Sequence, residues 1–452
     1  MISDAVPHAR VIIGLGKTGF SCARYLTTQK IPFAMVDTRE APPAMAEFQR
    51  EFPGVDIYCG ELTDQKLASC EELIVSPGVA LDEPAIQYAA QMGANIIGDI
   101  DLFCNAVSQP IIAITGSNAK STVTTLVGEM CKAAGKSVGV GGNLGIPALD
   151  LIDDSHDLYV LELSSFQLER LQTLKADVAA ILNISPDHLD RYQDVEAYGQ
   201  AKQRIFNRAK QVVFNRSDLL TFPLVGLPLV GSAVAQWSFG LNSAEANDFG
   251  LIEHAEEFYL AWGDKPLLAA SELKIKGSHN VENALAALAI GAAAGLPMNA
   301  MIETLKEFQG LPHRCQWIAD IDGVAFYNDS KGTNVGAAIA AINGLATGLK
   351  NIILIAGGEG KGADFSEFGN VIAQHAKAAV LIGRDAGQIA TAIDGRIDIR
   401  LAASLDAAVQ VAKNLAVTGD IVLLSPACAS FDMFNGFEHR GTCFIKAVEA
   451  LK

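Results

Sequence analysis

The sequence predicts an α/β chain of three domains: a Rossmann-like N-terminal domain, a central P-loop ATPase-like domain with a small antiparallel patch, and a Rossmann-like C-terminal domain. Three observations predict this. The 452 residues exceed what one hydrophobic core organises, and ordinary domain sizes divide such a length into about three units. One pattern recurs along the chain: a short β-branched run, a glycine turn, then an alanine-rich helical stretch. It is found at Val11–Gly16, Ile111–Gly116, Tyr159–Ser164, Val178–Ile184, Asn351–Gly357, Ala379–Gly383 and Ile421–Ser425. Apolar runs alternating with helices build parallel sheets covered on both faces. Finally, the pattern breaks twice. One α/β block ends near Ile97–Asp101, before a fresh strand at Pro110, and the helix Met298–Phe308 ends in Gly310, Leu311 and Pro312, an interdomain linker over Gln309–Arg314. The expected domains are 1–98, 99–310 and 311–452. Between Gln236 and Gly277, alternation at Trp237-Ser-Phe and Phe258-Tyr-Leu-Ala-Trp predicts the antiparallel patch.

Composition narrows the class of function. Half of the residues are hydrophobic and 19% are charged, the balance of a globular chain. No apolar run reaches the roughly 20 residues of a membrane span. Met1–Arg10 carries Asp4, Pro7 and His8 with no apolar core behind it, so it does not read as a signal peptide. Eight cysteines are scattered without a CxxC pair or metal-finger spacing, which predicts reduced thiols and a cytoplasmic location. The net charge of −17 argues against bulk nucleic-acid binding. It also requires local cations and helix N-termini to attract any anionic substrate against the overall field.

The first glycine loop, Gly14-Leu-Gly-Lys-Thr-Gly19, follows a strand and opens a helix, and Asp37 ends the next strand. This is the pattern of a dinucleotide site, with an acid placed to hold a ribose hydroxyl. A phosphate or nucleotide site and a plain tight turn both fit it. NAD chemistry fits poorly, because nothing downstream resembles hydride-transfer machinery.

The second loop, Gly116-Ser117-Asn118-Ala119-Lys120-Ser121-Thr122, lies between the strand Pro110–Thr115 and the helix Thr122–Ala134. Backbone N–H groups at such a helix start cradle phosphate oxygens. Lys120 offers a cation to the terminal phosphates, and Ser121 or Thr122 offers a hydroxyl to Mg²⁺. A full Walker A sequence has glycine six residues before the lysine, where this chain has Ile114. The loop is thus a shortened relative, and an ordinary turn with a solvated lysine also fits it.

Downstream, Glu162 interrupts the apolar strand Asp157–Ser164 near its C-terminal end, where α/β sheets collect ligands. Taken alone it reads equally as a half-exposed glutamate. The next strand ends in Asp187-His188-Leu-Asp190 after the turn-forming Pro186, and His188 is a candidate metal ligand or an exposed loop histidine. Lys202, in the helical stretch Tyr198–Asn207, reads by itself as a solvated helix lysine.

Together with Gly141-Gly-Asn-Leu-Gly145, Gly277-Ser-His-Asn-Val-Glu-Asn283, Leu311-Pro-His-Arg314, Asn328-Asp-Ser-Lys-Gly-Thr-Asn334, Gly357-Gly-Glu-Gly-Lys361 and Leu424-Ser-Pro-Ala-Cys-Ala-Ser-Phe-Asp432, these segments occur in the order seen in one family. The chain resembles the Mur ligases of peptidoglycan precursor synthesis, over essentially its whole length, and within them the D-glutamate-adding kind. The resemblance implies an ATP-dependent ligase that joins D-glutamate to UDP-N-acetylmuramoyl-L-alanine through an acyl phosphate, probing neither nucleic acid nor membrane and acting as a monomer. It implies ATP on Gly116–Thr122, with Asn280, Asn283, Arg314 and Asp329 on the adenine and ribose side. It implies two Mg²⁺ sites, one on Ser121 and Glu162 and one on His188 and Lys202, with Lys202 carbamylated by CO₂; Lys120, His188 and Lys202 are the implied catalytic groups. Leu15, Thr18, Asp37, Thr38, Arg39, Ser76, Pro77, Gly78 and Asn143 are implied for the UDP-substrate, and Thr333, Lys361, Ser430 and Phe437 for D-glutamate. Ala119 departs from the family's usual glycine. If that position needs a positive φ, alanine brings strain of order ~1 kcal/mol.

Overall fold

The structure, a computed structural model, describes residues 6, 8–189, 191–224, 234–244, 248–254, 256–275, 277–346 and 348–451. Met1–Ala5, Pro7 and Asp190 of the segments above, and 245–247, 255 and 276 within the expected antiparallel stretch, lie outside the described residues. Three sheets succeed one another along the chain. The first holds β1 (Arg10–Ile13), β2 (Ala34–Asp37), β3 (Ile57–Cys59), β4 (Glu72–Val75) and β5 (Asn95–Ile97), all parallel, in the order β3-β2-β1-β4-β5.

The second contains β6 (Ile111–Thr115), β7 (Val138–Gly142), β8 (Leu158–Glu162), β9 (Val178–Ile181), β10 (Gln211–Asn215), β11 (Ala235–Phe239), β12 (Phe249–His254), β13 (Glu257–Trp262) and β14 (Lys265–Ala269). Their order is β14-β13-β12-β11-β10-β9-β6-β8-β7. The third contains β15 (Gln316–Ile321), β16 (Val324–Asn328), β17 (Ile352–Gly357), β18 (Ala376–Ile382), β19 (Asp398–Leu401) and β20 (Ile421–Leu424), ordered β15-β16-β20-β17-β18-β19.

Central strands such as β6, β8 and β17 are buried at every residue. Helices cover both their faces, which is why their sequences are unbroken apolar runs rather than alternating ones. The antiparallel patch is β12, β13 and β14. Trp237–Phe239, expected within it, belongs instead to β11, which runs parallel to β10 from Gln211↔Ala235 to Asn215↔Phe239. Alternation reports which face a strand buries and carries no information on a neighbour's direction. The β15–β16 hairpin was not expected from the sequence. It turns on Asp322 and Gly323, both at positive φ, the backbone a two-residue hairpin turn requires. The helix expected at Thr122–Ala134 begins two residues earlier, at Lys120, and ends at Ala133. The one expected at Tyr198–Asn207 is Val195–Gln203, capped by the Asp194 side chain, followed by a 3₁₀ turn at Arg204–Phe206.

The cores do not follow the sheets one for one. A continuous apolar cluster runs from Ile12, Phe20 and Phe48 in the first sheet's layer through Phe103 to Tyr159, Ile181 and Phe206 around the second. The Phe103 and Tyr159 rings meet edge to face at 5.0 Å. Both clusters under the third sheet are built only from residues at 315 and beyond. The first two layers are therefore welded by shared apolar burial, and the third layer has its own interior.

Candidate functional site

β6 delivers the chain into the loop Gly116–Thr122, and the helix Lys120–Ala133 carries it away. Ala119 caps that helix at φ 64°, ψ −5°, the left-handed conformation for which the missing glycine would be suited. The loop is fixed from the neighbouring strand end. Ser117 Oγ donates to the Ser185 carbonyl at 3.0 Å and accepts from the Ser185 N–H at 2.9 Å, while the Asn118 N–H donates to Asn183 Oδ1 at 2.8 Å. Lys120 Nζ donates to the carbonyls of Gly116 and Ser117 at 2.7 and 2.9 Å. Burial lowers its pKa, against the pull of Glu162 and Asp187.

Glu162 ends β8, paired in register with Ile114 of β6, so the sheet itself sets the carboxylate beside the loop. It is only 2% exposed, which removes the half-exposed alternative. Oε1 accepts from Asn143 Nδ2 at 2.6 Å, and Oε2 is buried with no partner among the described residues. A buried carboxylate oxygen left without a donor is costly, and it is the kind of oxygen ligand a hard cation takes. No group of three or more His, Cys, Asp or Glu able to hold a metal is present among the described residues.

His188 stands at φ 55°, its ring 4.8 Å from Phe166 and 6.4 Å from Tyr198, with Nε2 3.8 Å from Asp187 Oδ2. Lys202 is not a solvated helix lysine. It is 1% exposed, donates from Nζ to the Gly116 carbonyl at 2.9 Å and to Thr115 Oγ1 at 3.3 Å, and lies 4.6 Å from the Tyr198 ring centre. Helix periodicity cannot reveal this burial, because the face of Val195–Gln203 that carries Lys202 packs on the back of the phosphate loop. Burial, and then the charge of Lys120, push the Lys202 ammonium well below its ordinary pKa.

A cavity of about 580 Å³ opens between the second and third layers. Asn118, Thr122, Asn280 and Asn283 line one wall, and Arg314 and Asp329 the other. Arg314 Nη2 donates to Ser121 Oγ at 2.7 Å. The Asp329 carboxylate accepts from the Cys315 N–H at 3.1 Å and from Ser425 Oγ at 2.7 Å, and burial raises its pKa to about 6. Lys361, at φ 52°, brings Nζ to 3.6 Å from Asp187 Oδ1. Ser430 is buried, and Phe437 opens the last helix, its ring under Lys331 Nζ at 3.8 Å. Thr333 lies in the turn joining Asp329 to the helix Val335–Leu345.

The remaining candidates gather elsewhere. Leu15 and Thr18 follow β1, Asp37, Thr38 and Arg39 end or follow β2, and Ser76, Pro77 and Gly78 follow β4. All stand at the C-terminal edge of the first sheet, where strand order reverses between β1 and β4 and ligand crevices form. Asp37 is 2% exposed and already engaged: it accepts from the Leu15 N–H at 2.7 Å and the Arg39 N–H at 2.9 Å, and pairs with the Arg39 guanidinium. Asn143 sits apart from this group, on Glu162. The two layers are bridged by Arg170, whose Nη2 donates to the Val79 carbonyl at 3.0 Å.

Sequence reasoning missed Asp187 and Asn334. Asp187 was visible only as a companion of His188, and Asn334 only as the end of a recognised segment. In the structure they meet between the second and third layers, at 3.1 Å.

The chain matches known proteins along its length. Residues 8–98 match the family described as Mur ligase MurD-like, N-terminal domain, residues 114–291 the Mur ligase middle domain, and residues 313–428 the Mur ligase, glutamate ligase domain. The chain is 55% identical over 448 residues to the UDP-N-acetylmuramoylalanine–D-glutamate ligase of Pseudomonas aeruginosa, covering 99% of both chains. It is 50% identical over 444 residues to the ligase of the same name from Legionella pneumophila, covering 98% of this chain and 99% of that one. In fold it resembles a pseudomurein peptide ligase type C from Methanothermus fervidus (TM-score 0.64, 18% identity, 98% and 100% coverage). It likewise resembles a UDP-N-acetylmuramate-alanine ligase from Thermotoga maritima (TM-score 0.61, 19% identity, 98% and 99% coverage).

Proposed function

The chain belongs to the Mur ligase family, and from that premise we propose that it joins D-glutamate to UDP-N-acetylmuramoyl-L-alanine at the expense of ATP, in peptidoglycan precursor synthesis. The observation that carries this reading is the 55% identity, over 99% of both chains, to a ligase of that name.

The chemistry follows from the groups around the cavity. The alanyl carboxylate oxygen attacks the γ-phosphorus of ATP, and the bond to the bridging oxygen breaks with its electron pair leaving on ADP. The deprotonated amine of D-glutamate then adds to the acyl carbon of the mixed anhydride; a C–N bond forms and inorganic phosphate departs. Negative charge gathers on the phosphoryl oxygens in the first step. Lys120, on the loop, and Arg314, bonded to Ser121, are the cations available to hold it. Asn280, Asn283 and Asp329 hold the nucleoside on the same cavity's rim. Lys361 and Thr333 take the side-chain carboxylate of D-glutamate, and Ser430 and Phe437 its α-carboxylate; a lysine beside a hydroxyl suits a dicarboxylate. Leu15, Thr18, Asp37, Thr38, Arg39, Ser76, Pro77 and Gly78 receive the uridine diphosphate at the first sheet's edge, and Asn143 meets that substrate beside Glu162.

Mur ligases use Mg²⁺ with ATP. Ser121 and Glu162 would hold one ion, and His188 with Lys202 a second; bound there, the ions offset charge on the phosphates and the reacting carboxylate. An ammonium cannot serve as such a ligand. Burial disfavours charge on Lys202 and so favours the neutral amine form, whose nitrogen can attack CO₂, forming an N–C bond and releasing one proton to give an anionic carbamate. We take the domains as 1–98, 99–310 and 311–452, a division that the succession of three sheets along the chain supports. A cytoplasmic location is in keeping with the eight free cysteines.

The test is phosphate release from ATP with UDP-N-acetylmuramoyl-L-alanine and a panel of amino acids. Release is expected with D-glutamate. Release with L-lysine or meso-diaminopimelate and none with D-glutamate overturns the reading.

A further inference from the structure

Asn334 occupies a position that the reaction chemistry does not explain. It is the N-cap of the helix Val335–Leu345: its Oδ1 accepts from the Ala337 N–H at 2.8 Å. That uses the half of the amide belonging to the third layer. The other half, Nδ2, points out of the layer and donates twice, to Asn118 Oδ1 at 3.2 Å in the phosphate loop and to Asp187 Oδ2 at 3.1 Å beside His188. A neutral amide is the one side-chain group that offers two donors and an acceptor in a single plane, and all three are engaged here.

A second observation places the same contact under tight steric control. A Cβ at Gly336, two residues on, would come within 3.2 Å of Ser185 Oγ and 3.5 Å of Asn118 Nδ2. Ser185 is the residue that fixes Ser117 from behind. The start of this helix is thus seated directly on the loop-to-loop lattice that shapes the phosphate site, with glycine allowing the approach. Close by, Lys361 Nζ reaches the other oxygen of Asp187 at 3.6 Å. Asp187 is therefore read from the third layer by two residues at once, one on each oxygen.

We propose that Asn334 is a positioning residue for amino-acid addition: it latches the start of the helix Val335–Leu345 onto Asn118 and Asp187, and so sets the third layer's D-glutamate grip in register with the phosphate loop. The proposal rests on the ligase reading above. The latch joins two hydrogen bonds at the cleft to a group already ordered as a helix cap, so little side-chain freedom is lost when it engages. Its energy is realised only when the third layer is seated, which places its effect on the amino-acid step and leaves uridine-nucleotide binding at the distant first sheet untouched.

Asn334→Asp separates the two functions of the residue. Aspartate is as good a helix cap as asparagine, so the helix stays capped. Its carboxylate has no N–H, and it faces the acceptor of Asn118 and the carboxylate of Asp187, which repels it. Asn334→Ser also preserves a cap acceptor and is too short to bridge, without adding charge. Wild type must first show D-glutamate-dependent phosphate release; if it shows none, the ligase reading fails and the latch is not what failed. Given that activity, both variants are expected to lose at least about tenfold in kcat/KM for D-glutamate, roughly the worth of one lost charge-assisted hydrogen bond. The KM for UDP-N-acetylmuramoyl-L-alanine and the unfolding temperature should stay at the wild-type values. Small-angle scattering with a non-hydrolysable ATP analogue should show the variants more extended than wild type. Two results overturn the proposal. One is wild-type kcat/KM for D-glutamate in both variants. The other is a loss that scales with a lowered unfolding temperature, which would make Asn334 a cap alone.

Discussion

Arg314 and Ser121 are joined by a 2.7 Å hydrogen bond that crosses from the start of the third layer to the first turn of the phosphate-loop helix. The half-buried guanidinium has its pKa lowered by desolvation, against the pull of the Glu162 and Asp329 carboxylates. It is the point at which the linker after Gly310 commits to the nucleotide site. Removing it takes away the bond to Ser121 and, in the proposed nucleotide site, one donor facing the nucleotide.

Arg314→Ala is therefore expected to raise the KM for ATP by about ten- to a hundredfold, the range of a lost hydrogen bond to a charged group. Lysine offers no planar fork, so Arg314→Lys should recover little. Steady-state kinetics at saturating D-glutamate and UDP-substrate measures this; an unchanged KM for ATP in Arg314→Ala would remove the residue from the nucleotide site.

Ala119 gives a prediction of opposite sign. Its left-handed φ of 64° strains a β-carbon that glycine lacks. Ala119→Gly should stabilise the fold by a few tenths to about 1 kcal/mol, the strain relieved less the extra freedom glycine gains when unfolded. Urea denaturation reads the change, and a destabilised variant contradicts it.

Asp329 carries a pH signature. Its pKa rises in the fold from 3.8 to about 6, because burial outweighs the bonds from Ser425 and Cys315. The folded chain thus keeps a proton over a range in which the unfolded chain has released it. This group's contribution to stability is complete below about pH 4 and is lost as pH rises through about 6. Asp329→Asn cannot titrate. Its urea midpoint relative to wild type should increase between pH 4 and 7, and a constant difference would count against a raised carboxyl.

Lys202→Ala is expected to abolish ligation while leaving the fold intact, and a small carboxylate such as acetate, supplied in excess, should restore part of the rate by standing in for the carbamate. Wild-type activity in Lys202→Ala with no additive sinks the role of that lysine.

What the sequence disclosed was local. The loop Gly116–Thr122, the acid that ends β8 and the helix break before Pro312 each show in a few adjacent residues, because turn chemistry and strand periodicity are short-range. The positive φ of Ala119 was foreseeable from a single missing glycine. The Asp322-Gly323 turn was equally local, yet it was passed over among stronger strands. The long-range part was hidden. Lys202 has the sequence surroundings of a surface lysine and becomes buried only because its helix packs behind Gly116. Asn334 and Asp187 are 147 residues apart, and no periodicity links an amide cap to a loop carboxylate in another layer. Direction in the second sheet was hidden for the same reason.

The division of the cores bears on how such an enzyme can be altered. The first two layers share one apolar cluster, so any graft between them must be repacked across Phe103 and Tyr159. The third layer has a self-sufficient interior and, at the cleft, meets the rest through the polar contacts of Arg314, Asn334 and Lys361. It is an exchangeable part. The seam at 309–314, with the packing of the helix Val335–Leu345 on the helix Ser278–Ala293, is what a recombined chain with a different third layer has to reconcile.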